Sequence, residues 1–197
     1  MADDIKISAV IAVLIAMLGI GLYIFLRFSR LAYSGGALVA LAHDTLFILL
    51  LYCILPLTGI VPFSLEVDQS FIAAILTVIG YSINDKVVIF DRIREFIRNR
   101  KGADFNKQDV FNSAISSTLS RTFSTSLSTL IVLVIIFFFG GETIRGFIFA
   151  MLIGVIVGTY SSIFIAAPFA CKYYSAKADE EEEAKRIEKE KRLAERA

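Results

Sequence analysis

The chain has 197 residues, 56% hydrophobic and 20% charged, with a net charge of +1 at pH 7, and its mean hydropathy is strongly positive. These values lie outside the range of soluble domains and point to several membrane spans. An outer-membrane barrel is excluded too, because the apolar stretches are continuous and not alternating.

A helix needs about 20 apolar residues to cross roughly 30 Å of hydrocarbon. Five windows meet that length, at about 7–28, 36–57, 71–90, 122–139 and 144–167. The expectation is an all-α, polytopic bundle of five transmembrane helices over residues 1–174, with a charged tail at 175–197. Basic residues alternate with their near absence in the connecting segments. Arg27 and Arg30 follow the first span, and Arg92, Arg94, Arg98, Arg100, Lys101 and Lys107 follow the third; Glu66 and Asp68 precede the third, and GGETIRG holds only Arg145. By the positive-inside rule the basic loops are cytoplasmic, which puts this chain's N-terminus outside and its C-terminus inside. An outside N-terminus with no signal peptide suggests that an upstream span is missing and that the chain is part of a larger transporter.

The second span places His43 beside Asp44 within LVALAHDTLFILL. An imidazole next to a carboxylate is a candidate titrating pair, since histidine changes charge in the physiological range; the alternative is a pair that only fixes helix packing. Neighbours on a helix point about 100° apart, so at most one of them can face a given partner squarely. Cys53 and Cys171 fall toward opposite sides of the membrane, so a disulfide is not expected and both read as small core residues.

The third span carries Asn84, Asp85 and Lys86 before its apolar run has ended. At helical spacing Thr77, Tyr81, Asn84, Asp85, Val88 and Arg92 share one stripe. A charge near the bilayer centre costs about 2.5 to 3.5 kcal/mol on the insertion scale, so such residues face a protein interior or a watery cavity and seek partners. Lys86 has Asp85 or a lipid phosphate as its candidate partners. Downstream, Ile93, Phe96 and Ile97 alternate with arginines, which reads as an amphipathic segment over 92–117 lying on the inner leaflet with its basic side chains at the lipid headgroups. Gly102 is placed to end that helix, and Asp104 or Asn106 to cap the next.

In the fourth span Ser117, Thr118, Arg121, Thr125, Ser128 and Thr129 gather on one face. Hydroxyl-rich faces let helices approach and hydrogen-bond across the contact, and their crowding around an arginine suggests a hydrated path. Asp85 and Arg121 would then lie at similar depth as a proton pathway, supported by Asn84, Tyr81, Thr125 and Ser128. The fifth span repeats small residues every four positions, through Gly146, Ala150, Gly154, Gly158, Ser162 and Ala166, and Gly154 and Gly158 are expected to permit close helix packing. The tail holds Glu180 to Glu183, then charges paired at i, i+4 such as Glu181 with Lys185 and Glu182 with Arg186. Its near balance of charge gives no expectation of nucleic-acid binding.

Three long stretches, VDQSFIAAILTVIGYSINDKVVIFDRIRE, TLSRTFSTSLSTL and FFFGGETIRGFIFAMLIGVIVGTYSSIFIA, resemble in content and order the SecF family and the SecF half of fused SecDF proteins. The likeness covers about residues 32–162, and Ala42 to Asp44 resembles the family's His-Asp element. The family's first span and large extracytoplasmic domain are not in this sequence. The resemblance implies a half of a resistance-nodulation-division type transporter in the bacterial inner membrane. Its implied partners are SecD, the SecYEG translocon, preprotein substrates and membrane lipids. It implies no enzyme activity and no cofactor, with protons as the coupling ion, and it assigns the proton path to Asp85 and Arg121. Lys86 departs from the small uncharged residue more usual at that position.

The competing readings are a proton-driven small-molecule exporter of the same superfamily, a purely structural translocon subunit, and an intramembrane protease using Asp44 and Asp85. The protease pattern of YD and GxGD is replaced here by HD and ND, and His43 has no GxSxG partner.

Overall fold

The computed structural model describes residues 2–99 and 106–174; Gly102, Asp104 and the charged tail fall outside them. Helix α1 spans Ala2–Phe28, α2 Leu31–Thr58, α3 Gln69–Asn99 and α4 Lys107–Phe139. A 3-10 turn at Glu142–Ile144 leads into α5 (Arg145–Ser161), a π-helical turn at Ser162–Ala166 and α6 (Ala167–Tyr173). The last four elements form one span, Glu142–Tyr173, so the described residues contain five helical stretches long and apolar enough to cross a membrane. The described residues hold no strand, as expected where hydrocarbon offers the backbone no other hydrogen-bond partner.

The helix boundaries have local causes. Between α1 and α2, Ser29 adopts a left-handed φ of 54° and Arg30 an extended conformation. Gly59, at φ 66°, closes α2 and donates its N–H to Pro56. The Asp68 carboxylate accepts the N–H of Phe71 at 2.8 Å at the start of α3, and the Asn106 side chain accepts that of Gln108 at 3.1 Å at the start of α4. Such caps satisfy the orphan donors of a first turn. Pro168 lacks an N–H within the fifth span, and the π-helical turn just before it accommodates that gap.

Of the interfacial segment read at 92–117, residues 100–105 lie outside the described residues. Residues 92–99 continue α3, and 107–117 are the first turns of α4. The buried stripe simply runs on: Ile93, Val110, Phe111 and Ala114 are all in the core, with Phe111 against Tyr174. Arg92 bridges the two helices by donating from Nε to Ser117 at 3.0 Å. Arg27, at the end of α1, reaches Asp91 of α3 at 3.0 Å, so the basic ends of α1 and α3 lie side by side.

Two apolar clusters make the core. One gathers Phe28, Tyr33, Phe90, Phe111 and Tyr174; the other gathers Tyr52, Phe71, Val78, Leu133 and Ile148. The outward faces of α1 and α4 carry large apolar side chains such as Leu14, Leu18, Leu127 and Phe138, the inverse of a soluble surface and suited to lipid. Helix α5 packs tightly on α3. A methyl group built on Gly154 would collide with Val78, and one on Gly158 would come within 2.7 Å of the Ser82 hydroxyl. Gly36 of α2 is held as closely, where an added carbon would lie 2.6 Å from the Ala166 carbonyl oxygen of the π-helical turn. Cys53 and Cys171 are free thiols.

Candidate functional site

Along α3 the buried residues include Val78 and Ile79, then Ser82, Asp85 and Lys86, then Ile89 and Phe90. The apolar members on either side belong to the two core clusters, so the polar members form a layer between them. That layer is completed by Asp44 of α2, Thr118, Thr122 and Ser126 of α4 and Ser161 of α5, all buried.

The layer has two branches. In the first, Lys86, with no exposed surface, donates to Asp44 Oδ2 at 3.2 Å, to Ser161 Oγ at 3.3 Å and to Ser82, through both the hydroxyl and the carbonyl at 3.4 Å. Asp44, 1% exposed, accepts from the Ser82 hydroxyl at 2.8 Å. Its other oxygen lies 3.3 Å from Nδ1 of His43, whose ring stands at the edge of the bundle with 36% of its side chain exposed. Asp44 therefore faces Lys86 and not Asp85.

In the second branch Asp85, 5% exposed, lies 3.5 Å from the Thr159 hydroxyl, whose single hydrogen also has the Val155 carbonyl of its own helix as an acceptor at 2.8 Å. Thr159 in turn shares a 2.6 Å hydrogen bond with Ser126 of α4. Helices α3, α5 and α4 thus meet at a carboxylate and two hydroxyls. Thr122, one turn before Ser126, is buried, and its hydroxyl has no hydrogen-bond partner among the described residues.

The supporting face read from the sequence is placed differently. Arg121 is exposed and makes no ion pair with Asp85 among the described residues. Asn84, Thr125 and Ser128 are exposed as well. Thr125 and Ser128 spend their hydroxyls on carbonyls of their own helix, at 2.9 Å and 3.0 Å. Tyr81 is half-buried and spans the seam to α4, donating to Thr129 at 3.1 Å. The reason is a rotation between two stripes: on α3 the polar stripe through Tyr81 and Asn84 overlaps the buried stripe through Ser82, Lys86 and Ile89 only at Asp85.

Ser82, Ser126, Thr159 and Ser161 were not singled out by sequence reasoning. Ser82 was within reach of it, because it lies one turn before Lys86 and so shares its face. Among the described residues no cluster of histidine, cysteine and carboxylate side chains is arranged to hold a metal.

The five-span chain that holds this layer is similar to known proteins in sequence and in fold. The sequence pattern described as "Protein export membrane protein SecD/SecF, C-terminal" matches residues 1–176. The chain belongs to the SecD/SecF family of protein-export membrane proteins. It is 52% identical over 167 residues to the protein translocase subunit SecF of Rhodothermus marinus, covering 85% of this chain and 53% of that protein. It is 44% identical over 172 residues to the SecF subunit of Vibrio alginolyticus, covering 86% of this chain and 50% of that one. A crystal structure of SecDF in its super-membrane-facing form superposes with a TM-score of 0.72 at 34% identity, over 94% of this chain and 24% of that chain. The chain spans about half the length of these SecF relatives. Within the family frame it is a multi-pass membrane protein whose fold matches one portion of SecDF.

Proposed function

We propose that this chain is the C-terminal membrane part of a SecF-type subunit that uses the proton gradient to help move preproteins through the Sec translocon. It would pair with SecD, or with a SecD half of the same polypeptide, next to SecYEG in the bacterial inner membrane. The basic ends of α1 and α3 would face the cytoplasm, and this chain's N-terminus the opposite side.

The observation that carries the reading is Asp85, a carboxylate 5% exposed at the meeting of three helices, 3.5 Å from the Thr159 hydroxyl and in no ion pair among the described residues. A carboxylate in that setting is neither locked into its charged form by a contacting cation nor freely solvated, which suits it to take up and release a proton. Arg121, on the neighbouring helix, is the cation that the charged form of Asp85 would approach. Protonation cancels that attraction and lets the α3–α4 seam rearrange. Each elementary charge crossing the membrane releases about 2.3 kcal/mol per 100 mV, enough to bias a rocking motion balanced within a few kcal/mol.

The test is preprotein export in cells lacking the native protein, complemented by the full-length form carrying Asp85→Asn, with its membrane level checked by blot. Lost export at normal level supports the proton step at Asp85. Unchanged export leaves Asp85 a packing group and favours a purely structural subunit.

A further inference from the structure

Asp85 and Lys86 are adjacent on α3 and point about 100° apart: the carboxylate toward Thr159 of α5, the ammonium toward Asp44 of α2. An ammonium carries three N–H donors. Those of Lys86 meet acceptors on Asp44, Ser82 and Ser161, so none is left to bond Asp85. Asp44 is likewise occupied, by Lys86, Ser82 and His43. The network is closed, draws on three helices, and contains one buried cation against one buried anion. A lone buried charge would be strongly unfavourable; a hydrogen-bonded pair of this kind persists only in a well-defined geometry.

We propose that Lys86 and Asp44 are positioning residues for Asp85: their ion pair fixes the rotation of α3 against α2 and α5, turns Asp85 toward Thr159, and keeps the Lys86 side chain one residue from it. This rests on the reading of Asp85 as the proton carrier and adds the group that sets its surroundings. The other charged groups around Asp85 are accounted for. Helix α4 presents Arg121, and α2 presents His43 beside Asp44. On α3, Asp91 is bound by Arg27 of α1, and Arg92 is engaged by Glu95 and Ser117. The one charged residue of α5, Arg145, sits at its far end near Glu142.

The test reads Asp85 itself. Carbodiimides attack protonated carboxyls in membranes, so labelling of Asp85 in the full-length protein in native membranes, followed by mass spectrometry across a pH series, reports its titration whether or not the proton drives export. The variant is Asp44→Asn with Lys86→Met, which removes both charges together and leaves neither uncompensated. The expected result is a parent-like protein level with the labelling midpoint moved by about half a pH unit or more. An unmoved midpoint at parent-like level overturns the proposal and leaves the pair a packing device. If the double variant does not accumulate, the exchange Asp44→Lys with Lys86→Asp carries the test, since it keeps a pair at the same place but reverses which charge stands beside Asp85; an unmoved midpoint there overturns the proposal equally. Failure of the proton-carrier reading would show instead as unimpaired export in Asp85→Asn, a separate measurement.

Discussion

Lys86 Nζ lies 3.2 Å from Asp44 Oδ2, and neither side chain is more than 1% exposed. This contact ties α3 to α2 between two apolar clusters, and its worth depends on both partners being present. Asp44→Asn alone strands an ammonium in the core and is expected to lower stability by about 3 to 5 kcal/mol. Adding Lys86→Met to it should recover most of that loss, because a neutral side chain of similar length fills the same space. Thermal unfolding of the purified full-length protein in detergent compares the single and double variants.

The α3–α5 contact depends on two absent side chains. Gly154→Ala is expected to be the more damaging substitution, since the added methyl meets the stiff β-branched Val78, whereas Gly158→Ala meets the Ser82 hydroxyl. Costs of about 1 to 3 kcal/mol are expected for such overpacking. Gly80→Ala is the control: nothing lies within 4 Å of its added carbon, and it should leave the unfolding midpoint unchanged or raise it.

The Thr159 hydroxyl lies between Asp85 at 3.5 Å and Ser126 at 2.6 Å, with the Val155 carbonyl of its own helix as a competing acceptor at 2.8 Å, so it joins the carboxylate to α4. Thr159→Val keeps the shape and removes the hydroxyl, and export in the complementation assay is expected to fall about three- to tenfold, the equivalent of one lost hydrogen bond. Thr159→Ser keeps the donor and should stay near the parent rate. Equal rates for the two variants would remove the hydroxyl from the mechanism.

The start of α3 is set by Asp68, whose carboxylate accepts the Phe71 N–H at 2.8 Å. Asp68→Ala is expected to cost about 1 kcal/mol of stability, read as a lowered unfolding midpoint, while Asp68→Asn retains an accepting oxygen and most of the effect.

The number of spans was legible because apolar runs long enough to cross hydrocarbon leave helix as the one solution for the backbone. The small-residue repeat of the fifth span was legible for a related reason: at four-residue spacing its members must share a face, and Gly154 and Gly158 do lie against α3. At 92–99 and 107–117, arginines among apolar residues fit either a helix lying on a leaflet or the end of a longer one. The packing of Ile93 and Phe111 decides for the longer helices.

Sequence by itself determined that this is an all-α, five-span member of the SecD/SecF family and that α3 carries charges which must find partners. Only the tertiary structure decided which partners those are. Helical periodicity places residues on a face but not the face against a neighbour, and a small change in helix rotation exchanges one set of contacts for another. That rotation buries Lys86 against Asp44, leaves Asp85 with Thr159, and puts Arg121, Asn84 and Ser128 on the exposed side.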